Sequence, residues 1–252
     1  MIVIKKEKIH NVPLLHVVKN EDSANKLPLI FFIHGVTSIK ERNLQYAYML
    51  AEKGYRVILP DTLYHGEREE GKNIYSSFWK VVITTIHEIE MLKSHFENLH
   101  LIDGDRIGLA GTSMGGIITL GAMAKYDWIK VGVSLMGNPA YVDFAKWQVD
   151  FMSNNGTLIP LSNEEINQQL KVLEEYDATL QIEQWKERPL LFWHGKQDEV
   201  VPYLPAFTFY KNLQKAYMEK NVPLSFILDE HGGHAVPNKG VIETVNWFTT
   251  HL

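Results

Sequence analysis

Short runs of apolar, β-branched and aromatic residues recur along the chain, and between them the apolar positions spread out to a helical spacing. The runs predict strands at Ile2 to Ile9, Leu14 to Val18, Leu29 to His34, Tyr55 to Pro60, Arg106 to Ala110, Val131 to Leu135, Pro189 to His194 and Leu224 to Leu228. The later runs are nearly continuous in apolar character, as strands covered on both faces must be, and they alternate with helices. That alternation predicts a mostly parallel sheet with helices on both sides. The first two runs alternate apolar and polar residues and are joined too closely for a crossover helix, so they form an antiparallel hairpin at one edge.

The first helix is expected from Ser38. Ser38-Ile39-Lys40-Glu41 has the spacing of a capping box ahead of Leu44, Ala47, Leu50 and Ala51, and Lys53 and Gly54 close it. Further helices are expected near 76–97, 114–125, 204–218 and 239–251. The interval 139–186, between the sixth and seventh strands, is about twice what one crossover helix needs. Within it Phe144, Trp147 and Phe151 fall on one helical face and Val142, Ala145, Val149 and Met152 on another. Ser162 to Glu165 is a second capping box, leading into Ile166, Leu170 and Leu173. The interval is read as a small helical cap, with one side on the body and one over a cavity. The alternative is an extra packing layer whose aromatics are simply core.

Composition narrows what such a fold can do. With 252 residues, 45% of them hydrophobic, the chain is long enough for one sizeable core, and a single domain over 1–252 is expected. A formal charge of −5 supplies no basic field for nucleic acid or an anionic membrane. There is no cysteine, which excludes disulfides and thiolate nucleophiles. No signal-peptide core follows Met1, and no apolar run approaches the roughly 20 residues that span a bilayer. The expectation is a soluble, cytoplasmic protein with a small-molecule partner.

The candidate chemistry begins at Gly111-Thr112-Ser113-Met114-Gly115. This GxSxG follows a predicted strand and opens a predicted helix, the context of a nucleophile elbow, and the backbone N–H of Met114 then faces a developing oxyanion. A serine hydroxyl needs a base, and the base an orienting carboxylate. Asp198 lies in the loop after the seventh strand, with Glu199 and Asp229 as rival acids. His231 and His234 lie in the loop after the eighth. All would meet above the carboxyl ends of the strands, where open α/β sheets place their sites. His87 to Met91 begins like the zinc motif HExxH but lacks its second histidine, and Ser113 stands where a dinucleotide fingerprint needs glycine. No metal or cofactor is expected.

The order Ser, Asp, His, with His34-Gly35 after the third strand, Asp61 to His65-Gly66 after the fourth, Asp105 to Gly108 leading into the elbow, and Gly233-His234, resembles the α/β-hydrolase superfamily over essentially the whole chain. Within it the chain is similar to small bacterial esterases of the prolyl-oligopeptidase-like and dienelactone-hydrolase-like group. The resemblance implies an α/β-hydrolase fold with an eight-stranded, mostly parallel sheet and the cap between strands 6 and 7. It implies His234 rather than His231 as base, Asp198 as the acid, and Val36 N–H as the second oxyanion donor. His34 itself is read as bracing its loop rather than as a catalyst. His65 is a candidate pocket wall or substrate contact, and Met136, Trp147 and Phe151 are further pocket candidates. The expected activity is a serine carboxylesterase acting on short-chain esters through an acyl-enzyme. A peptide or acyl-peptide hydrolase, a thioesterase or a lactonase remain alternatives, as does a noncatalytic ligand-binding protein. The chain begins almost at its first strand, which argues against the N-terminal propeller of large oligopeptidases.

Overall fold

Alternate residues of each central strand enter different cores. Along β3 (Leu27–Ile33), Leu29, Phe31 and Ile33 join one buried cluster while Ile30 and Phe32 join another, the two-residue period of a strand covered on both faces. The structure is a computed structural model, and it describes residues 1–154 and 162–252. Residues 155–161 of the expected cap, and the side chain of Met152, lie outside the described residues.

The strands β1 (Ile2–Ile9), β2 (Val12–Lys19), β3, β4 (Arg56–Pro60), β5 (Ile102–Thr112), β6 (Val131–Leu135), β7 (Leu190–Gly195) and β8 (Leu224–Asp229) form one sheet in the order β1-β2-β4-β3-β5-β6-β7-β8. The expected edge hairpin is present: β1 and β2 pair antiparallel, β2 also pairs antiparallel with β4, and every later pairing is parallel. On one face lie α1 (Leu44–Glu52) and α7 (Asn238–His251). Their Leu50, Val245 and Phe248 pack against Ile30, Val57 and Val133 of the strands. The other face is covered by α2 (Phe78–Asn98), α3 (Met114–Lys125) and α6 (Leu204–Glu219). Burying each large apolar side chain in these layers stabilises the fold by about 1.5–3 kcal/mol.

The first helix departs from expectation. Ser38 does not cap it. Ser38 N–H donates to Gly35 O in a turn, residues Lys40–Asn43 form a 3-10 turn, and α1 starts only at Leu44. Tertiary structure overrides the local signal here, because the buried Asp61 carboxylate takes the Lys40 N–H and so caps the turn from another loop. The second capping box forms as expected, with Ser162 and Glu165 bonded reciprocally at the start of α5 (Asn163–Glu174). That helix and α4 (Tyr141–Asn154) occupy the interval between β6 and β7. Among the described residues no helix is long and apolar enough to cross a membrane.

Candidate active site

Ser113 sits between β5 and α3 with φ 57° and ψ −114°, a backbone conformation that costs a non-glycine residue on the order of 1–3 kcal/mol. Two glycines make the turn possible. A Cβ added at Gly111 would lie 2.3 Å from the carbonyl carbon of Gly115, and one at Gly115 would lie 2.1 Å from Ile33 O. The chain therefore folds back on itself with backbone against backbone, and Ser113 stands at the apex. Its N–H donates to Leu135 O at 2.7 Å, pinning the apex to the neighbouring strand. Met114 is the first residue of α3, so its N–H lacks a partner within the helix and points out of the positive helix end.

A hydrogen-bonded relay leads away from the serine. His234 Nε2 is 2.9 Å from Ser113 Oγ, and His234 Nδ1 is 2.7 Å from Asp198 Oδ2. To reach β5 from β8 the histidine loop must pass over β7, and it does so at Gly195, where an added Cβ would meet Gly233 O at 2.3 Å. Asp198 Oδ1 accepts the N–H groups of Val200 and Val201 at 3.0 and 2.9 Å. Burial alone would raise this carboxyl. The neighbouring His194, the His234 hydrogen bond and the Val201 N–H outweigh it and hold Asp198 well below the usual carboxylate range. An ionised Asp198 fixes the proton on His234 Nδ1 and leaves Nε2 free to accept from the serine.

The loops after β3 and β4 are bound to each other beside the elbow. A Cβ added at Gly35 would lie 3.5 Å from Ser113 Cβ, so this loop runs against the serine. Thr37 has φ 62°, an outlier for a β-branched residue. Lys40, 2% exposed, pairs with the fully buried Asp61 at 2.6 Å and with Glu67 at 2.7 Å. Arg68 forks onto Glu88 of α2 at 2.8 and 2.7 Å, anchoring the β4 loop to the body.

A cavity of about 570 Å³ opens at Ser113 and is mostly apolar. Phe144, Trp147 and Phe151 form a ladder along one side of α4, with successive rings 5.5 Å apart and nearly parallel. Facing them are Tyr75 in the turn before α2 and Phe78 and Trp79 at its start, and Trp79 Nε1 donates to Gln148 Oε1 across the gap. Ile166 and Leu170 of α5 complete that side, and Val36 lies at the serine end.

The sequence pattern of the prolyl oligopeptidase family matches residues 42–252. The chain belongs to the prolyl oligopeptidase family. Over the full length of both chains it is 50% identical to "Putative esterase YitV" of Bacillus subtilis (strain 168) and 29% identical to "Esterase YjfP" of Escherichia coli (strain K12). Among solved structures, TT1662 from Thermus thermophilus superposes with a TM-score of 0.76 at 17% identity, covering 99% of this chain and 98% of that one, a likeness of fold. This family member is a hydrolase with the α/β-hydrolase fold.

Within the family framework, the residues singled out in the sequence fall into three groups. Ser113, His234 and Asp198 are brought together, and Val36 and Met114 flank the serine. His231 is exposed, with its N–H bonded to Asp229, and Glu199 lies on the cavity rim. Trp147 and Phe151 line the cavity. Met136 and His65 do not: both are buried, Met136 with its N–H on Trp193 O and His65 within hydrogen bonds to the β3 and β4 loops. Sequence reasoning missed Tyr75, Phe78 and Trp79, whose approach to α4 spans some seventy positions and leaves no local signal.

Proposed function

We propose that the protein is a serine carboxylesterase acting on short-chain esters, with Ser113, His234 and Asp198 as its catalytic triad. The observation that supports this reading most is the unbroken relay of 2.9 and 2.7 Å from Ser113 Oγ through His234 to Asp198, at the mouth of an apolar cavity. Two esterase-named relatives matched along their whole length favour esters over peptides. Ser113 Oγ attacks the ester carbonyl while His234 Nε2 takes its proton. The tetrahedral oxyanion receives hydrogen bonds from Val36 N–H and Met114 N–H. The C–O bond to the alcohol then breaks, and His234 returns the proton to the departing oxygen. Water, deprotonated by the same nitrogen, cleaves the acyl-enzyme and releases the acid. The cavity accepts the apolar part of the substrate.

Ser113→Ala tests the reading directly on a ladder of p-nitrophenyl esters from acetate upward. Turnover is expected to fall by about 10⁶-fold, with labelling by a fluorophosphonate abolished. A folded variant that still hydrolyses the esters would refute the serine mechanism.

A further inference from the structure

Two buried histidines outside the relay hold the peptide units on either side of Val36. After β3, His34 Nδ1 lies 2.8 Å from Gly35 O, and that oxygen also accepts the Ser38 N–H at 3.2 Å. After β4, His65 Nε2 accepts the Thr37 N–H at 3.2 Å. The Gly35–Val36 peptide is planar and trans, so fixing the Gly35 carbonyl also fixes the opposite-pointing Val36 N–H. The next unit, Val36–Thr37, is fixed through its N–H.

The hydrogen bonds also determine where each ring carries its proton. An amide N–H can be accepted only by an unprotonated nitrogen. His65 must therefore carry its proton on Nδ1, which lies 2.8 Å from Leu63 O and 2.9 Å from Thr62 Oγ1. His34 Nε2 accepts the Thr62 N–H at 3.1 Å, so its proton is on Nδ1 as well, aimed at Gly35 O. The pair is reciprocal: the β3-loop histidine accepts a β4-loop amide and the β4-loop histidine accepts a β3-loop amide. Both rings are almost wholly buried, with centroids 5.1 Å apart. Burial lowers the affinity of both for a second proton, which keeps both neutral.

We propose that His65, working beside the loop-bracing His34, is a positioning residue that aims the Val36 N–H at the substrate oxyanion by holding Thr37 in its strained left-handed conformation. This rests on the esterase reading above, in which Val36 N–H is an oxyanion donor. Neither ring reaches the cavity, so neither touches substrate. A side chain that only stabilises the fold would leave the ratio of transition-state to ground-state binding unchanged, whereas an aiming role predicts loss in kcat alone.

The test compares His65→Leu, which removes the acceptor, with His65→Gln, whose Oε1 can accept the Thr37 N–H. In His65→Leu, kcat is expected to fall about 10- to 100-fold, less than the ~10²–10³ for outright loss of an oxyanion donor, with KM within about twofold. Affinity for a trifluoromethyl ketone, which adds to Ser113 as an oxyanion, is expected to fall by the same factor. His65→Gln is expected to recover most of both. A folded His65→Leu with unchanged kcat, or with reduced kcat but full affinity for the ketone, overturns the proposal. If that variant does not fold, ¹⁵N spectra of the imidazoles in the wild type decide: Nδ1–H tautomers at pH 7 for both rings support it, and an imidazolium or Nε2–H form of His65 overturns it. Ser113→Ala run on the same esters separates the two ideas. Activity surviving in that variant sinks the esterase reading, while a dead Ser113→Ala beside a fully active His65→Leu sinks only the positioning role.

Discussion

The relay and the cavity wall meet at Ser113 but are held by different forces. Ser113, Asp198 and His234 are placed by backbone: an elbow where glycines let main chain touch main chain, two amides on a buried carboxylate, and a loop crossing β7 at Gly195. The ladder of Phe144, Trp147 and Phe151 is placed by ring against ring, and Trp147 and Phe151 are 40% and 56% exposed. Hydrogen bonds to fixed amides tolerate little displacement, whereas stacked rings slide at small cost. One region demands a geometry and the other offers a surface, so their substitutions differ in kind as well as in size.

The largest effect that sharpens this contrast beyond the serine itself is expected at Asp198→Asn. Loss of the carboxylate frees His234 to carry its proton on Nε2, where it no longer accepts from the serine. kcat is expected to fall about 10⁴-fold with little change in fold, measurable by ester turnover beside circular dichroism. A loss below tenfold would mean that the relay is not rigidly specified.

A smaller effect concerns the loops beside the relay and is read in stability. Burial pushes His34 down to about 4, against 6.5 for an unperturbed ring. Between those pH values the unfolded chain binds a proton that the folded ring refuses. Stability from this group is thus full above pH 6.5 and lost as pH falls towards 4, on the order of 3 kcal/mol in all. The burial-lowered His65 acts in the same direction, while Asp61, Lys40 and Arg68 are the charged groups around the pair. Asp198, held low, loses its contribution only below the usual carboxylate range, outside this window. Urea unfolding at pH 7 and pH 4.5 measures the slope, and His34→Gln is expected to flatten it. An equal slope in the variant would remove His34 from the account.

The smallest effect is expected on the cavity wall. Trp147→Ala removes the middle ring of the ladder and is expected to raise KM for hexanoate esters about fivefold relative to acetate, with kcat nearly unchanged, in line with ~1 kcal/mol for an aromatic contact. If the variant lost kcat as severely as Asp198→Asn, the division between demanded geometry and offered surface would be broken.

What could be read in the sequence follows the same division. The elbow and the loops after β7 and β8 were legible because backbone requirements leave marks at fixed spacing: glycines about Ser113, and an acid and histidines just past a strand. The strands were legible because burial on both faces demands continuous apolar runs. The start of α1 was misread because Ser38 and Glu41 satisfy a local rule that Asp61, twenty positions on, overrides. His65 looked like a pocket residue because its loop points towards the site, and nothing local announces that its ring turns back to hold Thr37. The α2 wall was not legible at all, since Tyr75, Phe78 and Trp79 carry the same spacing whether they face a cavity or a core.

Asp177 gives the molecule a seam. Its buried carboxylate accepts the N–H of Val142 at the start of α4 and that of Thr179 just beyond itself, and Ala178 N–H returns to Pro139 O at 3.1 Å. The chain thus leaves the body and rejoins it at one point, closed like a drawstring. The entropic cost of a closed loop grows only with the logarithm of its length. The segment between can therefore change in length while its ends stay joined, whereas Tyr141, Phe144 and Leu173, buried in the core beneath it, must keep their places for the elbow helix to stay packed, so only the exposed part is a handle for redesigning what reaches Ser113.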